Sequence, residues 1–495
     1  MRINITRISR IALICLGFAV VFGLHLGLFS YYLDHGRMSA DEGFYAIAAR
    51  KVMDGEIPYR DFSYTQMPLL PYLNGAMMKV FGFGLATQRI LNIIWSCIGL
   101  LAAILALRQR LGRWEPGILA AFCVVSSPHF VQLVGMGNSH GTATMFLSLA
   151  TAAAISRFPY MRRLIAFGVF TALAIGCRLS VAPVTAILAV IFIVEAPDTR
   201  HRLLAITVPS VFVLAFLLPF FAADPQAALF NTWEYHLASI FDRRVLGNWI
   251  QWWEISPAAI IVLATGLMTL PRLVKTRQWT IALLLAAATA GITIPMIPSS
   301  SYGNYIAPAV LTASVAGLTA GWTLVAQNGS PLRHVVWLLP LLVLFHPLPR
   351  LARGGTSTAL NEVAAFIESS APDGPILTSI PMVAVESGRE IITGTEMGMF
   401  SAMGPNEEDR AKRLHFTTLR LVTEEVTDKV PSAIVLMIGK SVWNFKWSSP
   451  SLRRQPKKAH RAFMKAITTN YDPALRNDKF VVYLPRDTRR KKTPR

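Results

Sequence analysis

The stretch Ile11–Tyr32, which reads IALICLGFAVVFGLHLGLFSYY, decides the fold class of this 495-residue chain. It contains no Asp, Glu, Lys or Arg and is long enough to cross a bilayer as a helix, for which about 20 apolar residues suffice. Arginines precede it, as in a signal peptide. The apolar run is longer than a signal sequence requires, however, and bulky Phe29–Tyr32 occupies the place of small cleavage-site residues. We therefore predict that the run stays in the membrane as an anchor.

Ten more apolar runs follow this first one. The composition agrees with them, because 53% of the residues are hydrophobic and only 15% are charged, against about 25% charged residues in soluble domains. The mean hydropathy is +0.44. We predict an α-helical multi-pass membrane protein with about eleven transmembrane helices, of which the other ten are Ile90–Leu107, Pro116–Val134, Thr142–Ile155, Leu164–Gly176, Val181–Val194, Leu203–Ala222, Pro257–Leu270, Trp279–Ile297, Tyr305–Ala326 and His334–Pro349.

The distribution of Lys and Arg in the short loops indicates the orientation, since cytoplasmic loops carry the excess of these residues. With a cytoplasmic N-terminus, the inner loops hold the arginines and lysines, whereas the outer loops Gly135–Gly141 and Ser299–Asn304 hold no charge. The longer segments 33–89 and 223–256 then lie outside, and so does the tail from Arg350 onward. Ten spans with the tail inside remain the alternative.

The tail, residues 350–495, differs in composition from the chain before it and is predicted to be a small soluble α/β domain. Its patterns indicate a helix at Leu360–Ser369 and strands at Pro375–Ile380, Ala433–Ile438 and Phe480–Leu484. The tail is net basic, but long segments cross a membrane largely regardless of their charge. Residues 1–349 are then the transmembrane domain, and its first outer loop is 33–89.

The first outer loop contains two helix signals. Ser39 followed by Glu42 three residues later is a capping box, and Gly55 is a plausible stop for the helix that begins there. A second helix is predicted to start near Pro68 and to end before Gly82. Both helices are amphipathic and too short to span, so we expect them to lie along the outer membrane surface.

Asp41 is the candidate general base in this loop. It lies in the first turn of the first helix, where the positive end of the helix dipole favours an ionised carboxylate. Glu42 points about 100° away from it, so the two carboxylates cannot easily share one proton, and Glu42 is expected to cap the helix. The alternative is that both acids merely start a helix, since acids are common in first turns.

The loop also carries a longer pattern of specific residues. The segments that form it are Ala40–Tyr45 (ADEGFY), Ala49-Arg50, Gly55, Pro58–Phe62 (PYRDF) and Pro68-Leu69. This pattern resembles the first outer loop of the GT-C glycosyltransferases, and most closely the bacterial glycosyltransferase family 39. That family is similar to protein O-mannosyltransferases and to lipid A aminoarabinose transferase. The tail segment Val383–Gly398 (VAVESGREIITGTEMG) also resembles the C-terminal domains of such bacterial proteins.

The resemblance implies a GT-C fold and an activity. The activity is the transfer of a sugar, with inversion, from a polyprenyl phosphate to an acceptor hydroxyl on the periplasmic side of a bacterial inner membrane. The acceptor would be a glycolipid such as lipopolysaccharide, a polysaccharide or a protein, and Asp41 matches the acid taken to be the base. The aminoarabinose transferases carry an acid-Lys-Pro-Pro-Leu motif where this chain has Thr65–Leu69 (TQMPL). The missing lysine means that another cation must meet the phosphate.

Three groups of candidate site residues follow from these patterns. The catalytic candidates are Asp41, Glu42 and Asp61. The candidates for binding the donor phosphate are Arg60, Arg243 and Arg244, for which contact with lipid headgroups is an equal alternative. The candidates for substrate contact are Tyr45, Tyr59, His236, Tyr302 and Tyr305, although tyrosines at the interface are usually belt residues. His140 and Arg178, at outer helix ends, are expected to be structural.

A transporter or flippase of lipid-linked sugars is the alternative function. It would place ionisable residues in mid-membrane and repeat broken helices in two halves; here the spans are nearly free of charge, and this favours a transferase. No phosphate-binding glycine loop or metal constellation is present, so no cofactor is expected, and a divalent metal is not indicated. The expected partners are the lipid-linked donor, the acceptor and the bilayer, without nucleic acid. We interpret the unpaired cysteines as packing residues; they are Cys15, Cys97, Cys123 and Cys177.

Overall fold

The computed structural model describes residues 5–35, 38–237, 255–297, 303–328, 356–438 and 457–486. Its contacts divide the chain into two compact units. We call the first the helical unit; it consists of Met1–Leu33, Asn92–Leu217 and Arg243–Leu351. We call the second the α/β unit; it consists of Asp34–Leu91, Leu218–Asp242 and Ala352–Arg495. The first outer loop thus belongs to the same unit as the tail.

The helical unit consists of apolar helices that coincide with the predicted spans. Ten of the eleven predicted runs fall on helices, and the eleventh, His334–Pro349, lies outside the described residues. Short 3-10 turns lie at Leu179–Val181, Ile294–Met296 and Gly303–Ile306. The helices of this unit, some of which extend into the other, are Ile5–His35, Leu85–Leu111, Glu115–Val125, Pro128–Gly135, Ser139–Ile155, Tyr160–Cys177, Ala182–Glu195, Thr199–Ala223, Pro257–Leu267, Leu270–Lys275, Trp279–Thr293 and Ala307–Asn328.

The helical multi-pass fold class is confirmed, whereas the number of eleven spans stays a prediction. Within the described residues, five helices are long and apolar enough to cross a membrane, or six if one bent pair counts as a single span. That pair covers the predicted run Pro116–Val134, and its two helices, Glu115–Val125 and Pro128–Gly135, meet at 82°. The break has a local cause. Ser127 caps the second helix, and Pro128 has no N–H with which to continue the first.

The α/β unit contains a sheet and the helices around it. In the described part of the chain the strands are β1 (Ile376–Thr378), β2 (Ala433–Met437), β3 (Tyr471–Arg476) and β4 (Phe480–Pro485), in the order β1-β2-β4-β3. Strand β1 is parallel to β2, and the other two pairings are antiparallel. The helices are Ala40–Met53, Leu69–Phe81, Pro225–Leu229, the π-helical turn Phe230–Glu234, Tyr235–Leu237, Thr356–Ser370, Met382–Glu386, the 3-10 turn Gly398–Phe400, Glu408–Arg413, Leu419–Thr427 and Lys457–Asn470.

Three of these strands agree with the sequence patterns, and β3 is the one that the patterns missed. Its sequence YDPALR has no apolar alternation and contains a proline, which argues against a central strand. The structure places β3 at the edge of the sheet, where its register shifts between Pro473 and Leu475. A proline is tolerated at such an edge bulge, because no ladder hydrogen bond is lost there.

Both helices of the first outer loop form where the sequence predicts them. The first runs from Ala40 to Met53 behind the N-cap Ser39, and the second runs over Leu69–Phe81 to the C-cap Gly82, which has φ +95°. The first helix is more enclosed than the predicted amphipathic one, since residues 42–49 are all buried. Its predicted position along the membrane surface stays a prediction.

Close packing joins this first helix to the tail inside the α/β unit. A Cβ added at Gly43 would lie 2.5 Å from Met382 N, so only glycine permits the approach. The guanidinium of Arg50 donates to Val385 O and Arg389 O, both at 3.0 Å. Burial lowers the pKa of Arg50 against the pull of nearby acids. The two motif segments that carry the family resemblance, in the loop and in the tail, are therefore in contact.

We predict that Gly43→Ala lowers the free energy of unfolding by about 1–3 kcal/mol, because the new methyl group overpacks the contact with Met382. Gly23→Ala is the matched control, since it too lies in a helix and no atom comes within 4 Å of a Cβ built there. Thermal unfolding of the detergent-purified variants measures both. An equal midpoint for the two variants would contradict the packing described here.

Candidate active site

The start of the helix Ala40–Met53 carries the two adjacent carboxylates predicted for catalysis. Ser39 accepts a hydrogen bond from Asp41 N at 3.3 Å through its hydroxyl, and its own N–H donates to Glu42 Oε2 at 2.7 Å. Asp41 is partly exposed, whereas Glu42 is fully buried. The capping box predicted from the sequence is therefore present, and it gives the two acids different surroundings.

Glu42 is held by a buried ion pair with Arg89. Arg89 Nε donates to Oε1 at 2.7 Å and Nη2 donates to Oε2 at 2.9 Å, and the exposed fractions of the two residues are 0% and 3%. Both carboxylate oxygens are thus engaged within the protein. Glu42 therefore caps the helix and pairs with Arg89, and its predicted catalytic role stays a prediction.

Arg60 and Asp61 are brought together as a pair. Arg60 Nε donates to Oδ1 at 2.9 Å and Nη2 donates to Oδ2 at 2.8 Å, while Ile57 N donates to Oδ2 at 2.7 Å. The hydrogen bond from Arg60 lowers the pKa of the Asp61 carboxyl, and the same bond raises the pKa of Arg60. The charge of Arg60 is therefore already compensated by a carboxylate. This makes Arg60 a weaker candidate for binding the donor phosphate.

Tyr45 and Tyr59, both predicted to contact substrate, lie in an aromatic core with exposed fractions of 3% and 0%. The ring of Tyr45 lies 4.4 Å from that of Phe44 and 6.2 Å from that of Tyr64, between centroids. Tyr59 donates its hydroxyl to Gln66 O at 2.6 Å and has φ +74°, a value that residues other than glycine rarely adopt. Neither ring is presented to a substrate in this structure.

His236 is exposed and fixes the chain that follows the PYRDF segment. Its Nε2 donates to Thr65 O at 2.6 Å, and nearby Asn231 Oδ1 accepts a hydrogen bond from Tyr64 N at 3.1 Å. The segment that contains Asn231 and His236 is therefore hydrogen-bonded to the chain at Tyr64 and Thr65. A role for His236 in substrate contact stays a prediction.

Of the remaining candidate site residues, only Tyr305 lies among the described residues. Arg243, Arg244 and Tyr302 lie outside the described residues, and their roles stay predictions. Tyr305 is partly exposed in the helical unit, where its ring centroid lies 4.8 Å from the guanidinium carbon of Arg178. The sequence offered one signal for Arg178, which is a single charge between two apolar runs.

Glu396 is a buried acid that the patterns did not identify. Its exposed fraction is 2%, and the closest cation is Lys51, whose Nζ lies 3.7 Å from Oε1 and also pairs with Glu56 at 2.8 Å. Burial raises the pKa of Glu396 from its ordinary value of 4.5 to about 7, although the charge of Lys51 opposes the rise. The protonation of Glu396 thus changes near neutral pH, beside the helix that carries Asp41.

Metal-binding side chains do not form a cluster in the part of the chain that the structure describes. No three His, Cys, Asp or Glu residues lie there in an arrangement that could hold a metal ion. The four cysteines are free thiols. The sequence-based expectation, that a divalent metal is possible but not indicated, stays an expectation.

One family model matches the sequence. Residues 65–223, about a third of the chain, match the model described as dolichyl-phosphate-mannose-protein mannosyltransferase. A comparison with curated proteins finds no match. The matched segment begins at Thr65, the first residue of the TQMPL stretch, and does not include Asp41.

The fold is similar to that of solved glycosyltransferase structures. ArnT from Cupriavidus metallidurans bound to undecaprenyl phosphate aligns with a TM-score of 0.65 at 13% identity, over 95% of this chain and 98% of that one. Its apo state aligns with the same score at 12% identity, over 94% and 97%. The apo oligosaccharyltransferase of Archaeoglobus fulgidus aligns at 0.48 and 12% identity, over 85% and 69%. The family model and the ArnT fold confirm the GT-C resemblance predicted from the first outer loop.

We predict that Glu42→Ala destabilises the protein by about 3–5 kcal/mol, because it leaves the buried Arg89 without its counter-charge. The double variant with Arg89→Met removes that charge and recovers most of the loss. Glu424→Ala is the control, since its pair with Arg420 is exposed and its loss changes stability by less than about 1 kcal/mol. Thermal unfolding in detergent compares the midpoints of these three variants. Equal midpoints for Glu42→Ala and Glu424→Ala would contradict a stabilising role of the pair between Glu42 and Arg89.

We predict that stability falls as the pH rises from about 4.5 to about 7, by up to about 3 kcal/mol from Glu396 alone. The sign follows because the folded state keeps the proton of this buried carboxyl over that window, while the unfolded state releases it. Glu396→Gln removes this contribution and stabilises the protein above pH 7. Thermal unfolding midpoints measured between pH 5 and 8 test this prediction, and Glu390→Gln, at an exposed position, is the control. If the midpoints of both variants change with pH in parallel, the prediction is contradicted.

Proposed function

We propose that this chain, a multi-pass glycosyltransferase of the GT-C superfamily, moves a sugar from a polyprenyl phosphate to an acceptor hydroxyl, with inversion at the anomeric carbon. The donor would enter from the bilayer of a bacterial inner membrane. The acceptor would be a glycolipid, a polysaccharide or a protein on the periplasmic side. Support for the side comes from the distribution of Lys and Arg in the loops.

The observation that carries the proposal is the unequal treatment of two adjacent acids. Glu42 is closed into the ion pair with Arg89 and the bond to Ser39 N. Asp41 is the second residue of the helix, is partly exposed and lies in the first turn, where the helix dipole stabilises a carboxylate. A carboxylate that is partly exposed and stabilised by a helix dipole is suited to accept a proton from a substrate hydroxyl.

The proposed transfer requires a base for the acceptor hydroxyl and positive charge near the leaving phosphate. The acceptor oxygen attacks the anomeric carbon from the face opposite the phosphate, the bond from that carbon to the phosphate oxygen breaks, and the hydroxyl proton passes to Asp41. Polyprenyl phosphate leaves as a stable anion, so the acid with a raised pKa that glycoside hydrolases use is unnecessary. Positive charge near the departing phosphate is sufficient, since it stabilises the developing negative charge.

The donor class rests on similarity in fold. The ArnT structure with which the chain aligns over nearly its whole length contains undecaprenyl phosphate, and this supports a polyprenyl phosphate donor here. The family model, whose description names dolichyl-phosphate-mannose, points to the same class of lipid-linked sugar. The TQMPL stretch lacks the lysine of the aminoarabinose transferases, so the cation that meets the phosphate must come from another part of the chain.

We predict that Asp41→Asn lowers kcat for transfer from a polyprenyl-phosphate sugar by 10²- to 10⁴-fold, with little change in KM, because the amide cannot accept the proton. Asp54→Asn is the matched control, since Asp54 is an exposed acid just beyond the other end of the same helix. The measurement is single-turnover transfer in nanodiscs, with a nucleotide sugar as the second donor. Full activity of a folded Asp41→Asn variant, or equal use of the nucleotide sugar, would overturn the proposal.

A further inference from the structure

Arg178 is a buried cation in the helical unit. It is the C-cap of the helix Tyr160–Cys177, directly before the turn Leu179–Val181, and its exposed fraction is 9%. Removing a charged guanidinium from water is unfavourable unless an anion compensates its charge. The partners of Arg178 therefore show whether the charge is compensated.

The partners of Arg178 in the described residues are neutral. Its Nη1 donates to Ser139 Oγ at 2.9 Å, its Nε donates to Ser180 Oγ at 3.1 Å, and its guanidinium lies over the ring of Tyr305 at 4.8 Å. The described part of the chain supplies it with no carboxylate. Hydroxyls and an aromatic ring orient a guanidinium but do not neutralise it.

Two other arginines that are buried in the described part of the chain have carboxylate partners. Arg89 pairs with Glu42 at 2.7 Å, and Arg163 pairs with Glu195 at 2.8 Å. The chain thus provides a carboxylate where an arginine is purely structural. The lack of one at Arg178, over the residues that the structure describes, indicates a place kept for an anion from outside the protein.

The start of the helix Ser139–Ile155 provides a second and independent indication. This 17-residue helix begins at Ser139, so its positive end faces the region of Arg178. His140 follows directly and is 2% exposed, and in the described structure its buried Nδ1 has no hydrogen-bond partner. The imidazole therefore offers one more unused polar atom beside the guanidinium, whose charge acts on it.

We propose that Arg178, oriented by Ser139, Ser180 and Tyr305 and assisted by His140, binds the phosphate group of a lipid. The planar fork of an arginine suits phosphate oxygens, and the helix N-terminus adds favourable dipoles. The assignment of the lipid as the polyprenyl phosphate donor or product rests on the proposed function. The same phosphate chemistry is present in an anionic phospholipid and in free phosphate, and the experiment separates these sources.

The experiment measures equilibrium binding in nanodiscs made of neutral lipid. The probes are polyprenyl monophosphate, uncharged polyprenol, phosphatidylglycerol and inorganic phosphate. Arg178→Gln is expected to weaken polyprenyl monophosphate binding at least tenfold and to leave polyprenol binding unchanged. Arg162→Gln, which removes an exposed arginine in the first turn of the helix Tyr160–Cys177, is the matched control and is expected to bind as wild type.

Each outcome decides the proposal. Loss of binding in Arg178→Gln supports the site, and the probe that shows the loss identifies the source of the phosphate. Wild-type binding of every phosphate probe by Arg178→Gln overturns it. If that variant does not fold, Ser180→Ala takes its place and is expected to weaken binding several-fold; unchanged binding then overturns the proposal.

The binding assay is independent of turnover, so its failure differs from failure of the proposed function. Asp41→Asn is expected to bind polyprenyl monophosphate as wild type does while losing transfer. If Asp41→Asn keeps transfer and Arg178→Gln loses binding, the base assignment is wrong and the phosphate site stands. If Asp41→Asn loses transfer and Arg178→Gln keeps binding, the function stands and the site is wrong.

Discussion

The buried ion pair between Glu42 and Arg89 is the constraint on which the candidate site depends. Two charges that are removed from water must be held in close geometry to offset their desolvation, and here two charge-assisted hydrogen bonds of 2.7 and 2.9 Å do so. The same carboxylate accepts the N–H of Ser39 and so fixes where the helix starts. The direction of the Asp41 side chain follows from that start, since one residue of slip would turn it by 100°.

The pair also explains how two neighbouring acids acquire different surroundings. Sequence proximity would suggest that Asp41 and Glu42 act together, yet helix geometry directs them apart and burial encloses only one. Arg60 and Asp61 show the opposite case, because adjacent residues in an irregular segment can turn toward each other and pair. The backbone conformation decides in both cases whether neighbouring charges cooperate.

The parts of the fold that depend on local sequence could be predicted, and those that depend on distant contacts could not. Apolar runs located ten helices, and Ser39 with Glu42 located the first outer helix to within a residue. The bend before Pro128 has a local cause in Ser127 and Pro128, which the apolar run alone did not indicate. The edge strand β3 was missed, because its place depends on neighbours that a local pattern does not contain. The substrate role predicted for Tyr59 conflicts with its burial for the same reason.

The candidate site was predicted in part. Asp41 was identified by its place in a capped helix, and its catalytic role stays a prediction. Arg178 was visible in the sequence as a single charge between two apolar runs, but the burial of Arg178 and Glu396 and the identity of their partners could not be predicted from it. An isolated charge in a sequence gives no indication of whether a carboxylate from elsewhere in the chain lies beside it.

The contacts of the segment Met382–Glu386 limit which parts of the chain can be exchanged between relatives. Arg50 donates to the carbonyl of Val385, and Glu386 Oε1 accepts the N–H of Leu85, the first residue of a long apolar helix. The tail thus completes hydrogen bonds that begin in the first outer loop and in the helix behind it. Recombination between relatives that exchanged the tail alone would break these bonds. The loop and the tail should accordingly be inherited together, and chimeras should place their junctions so that both come from one parent.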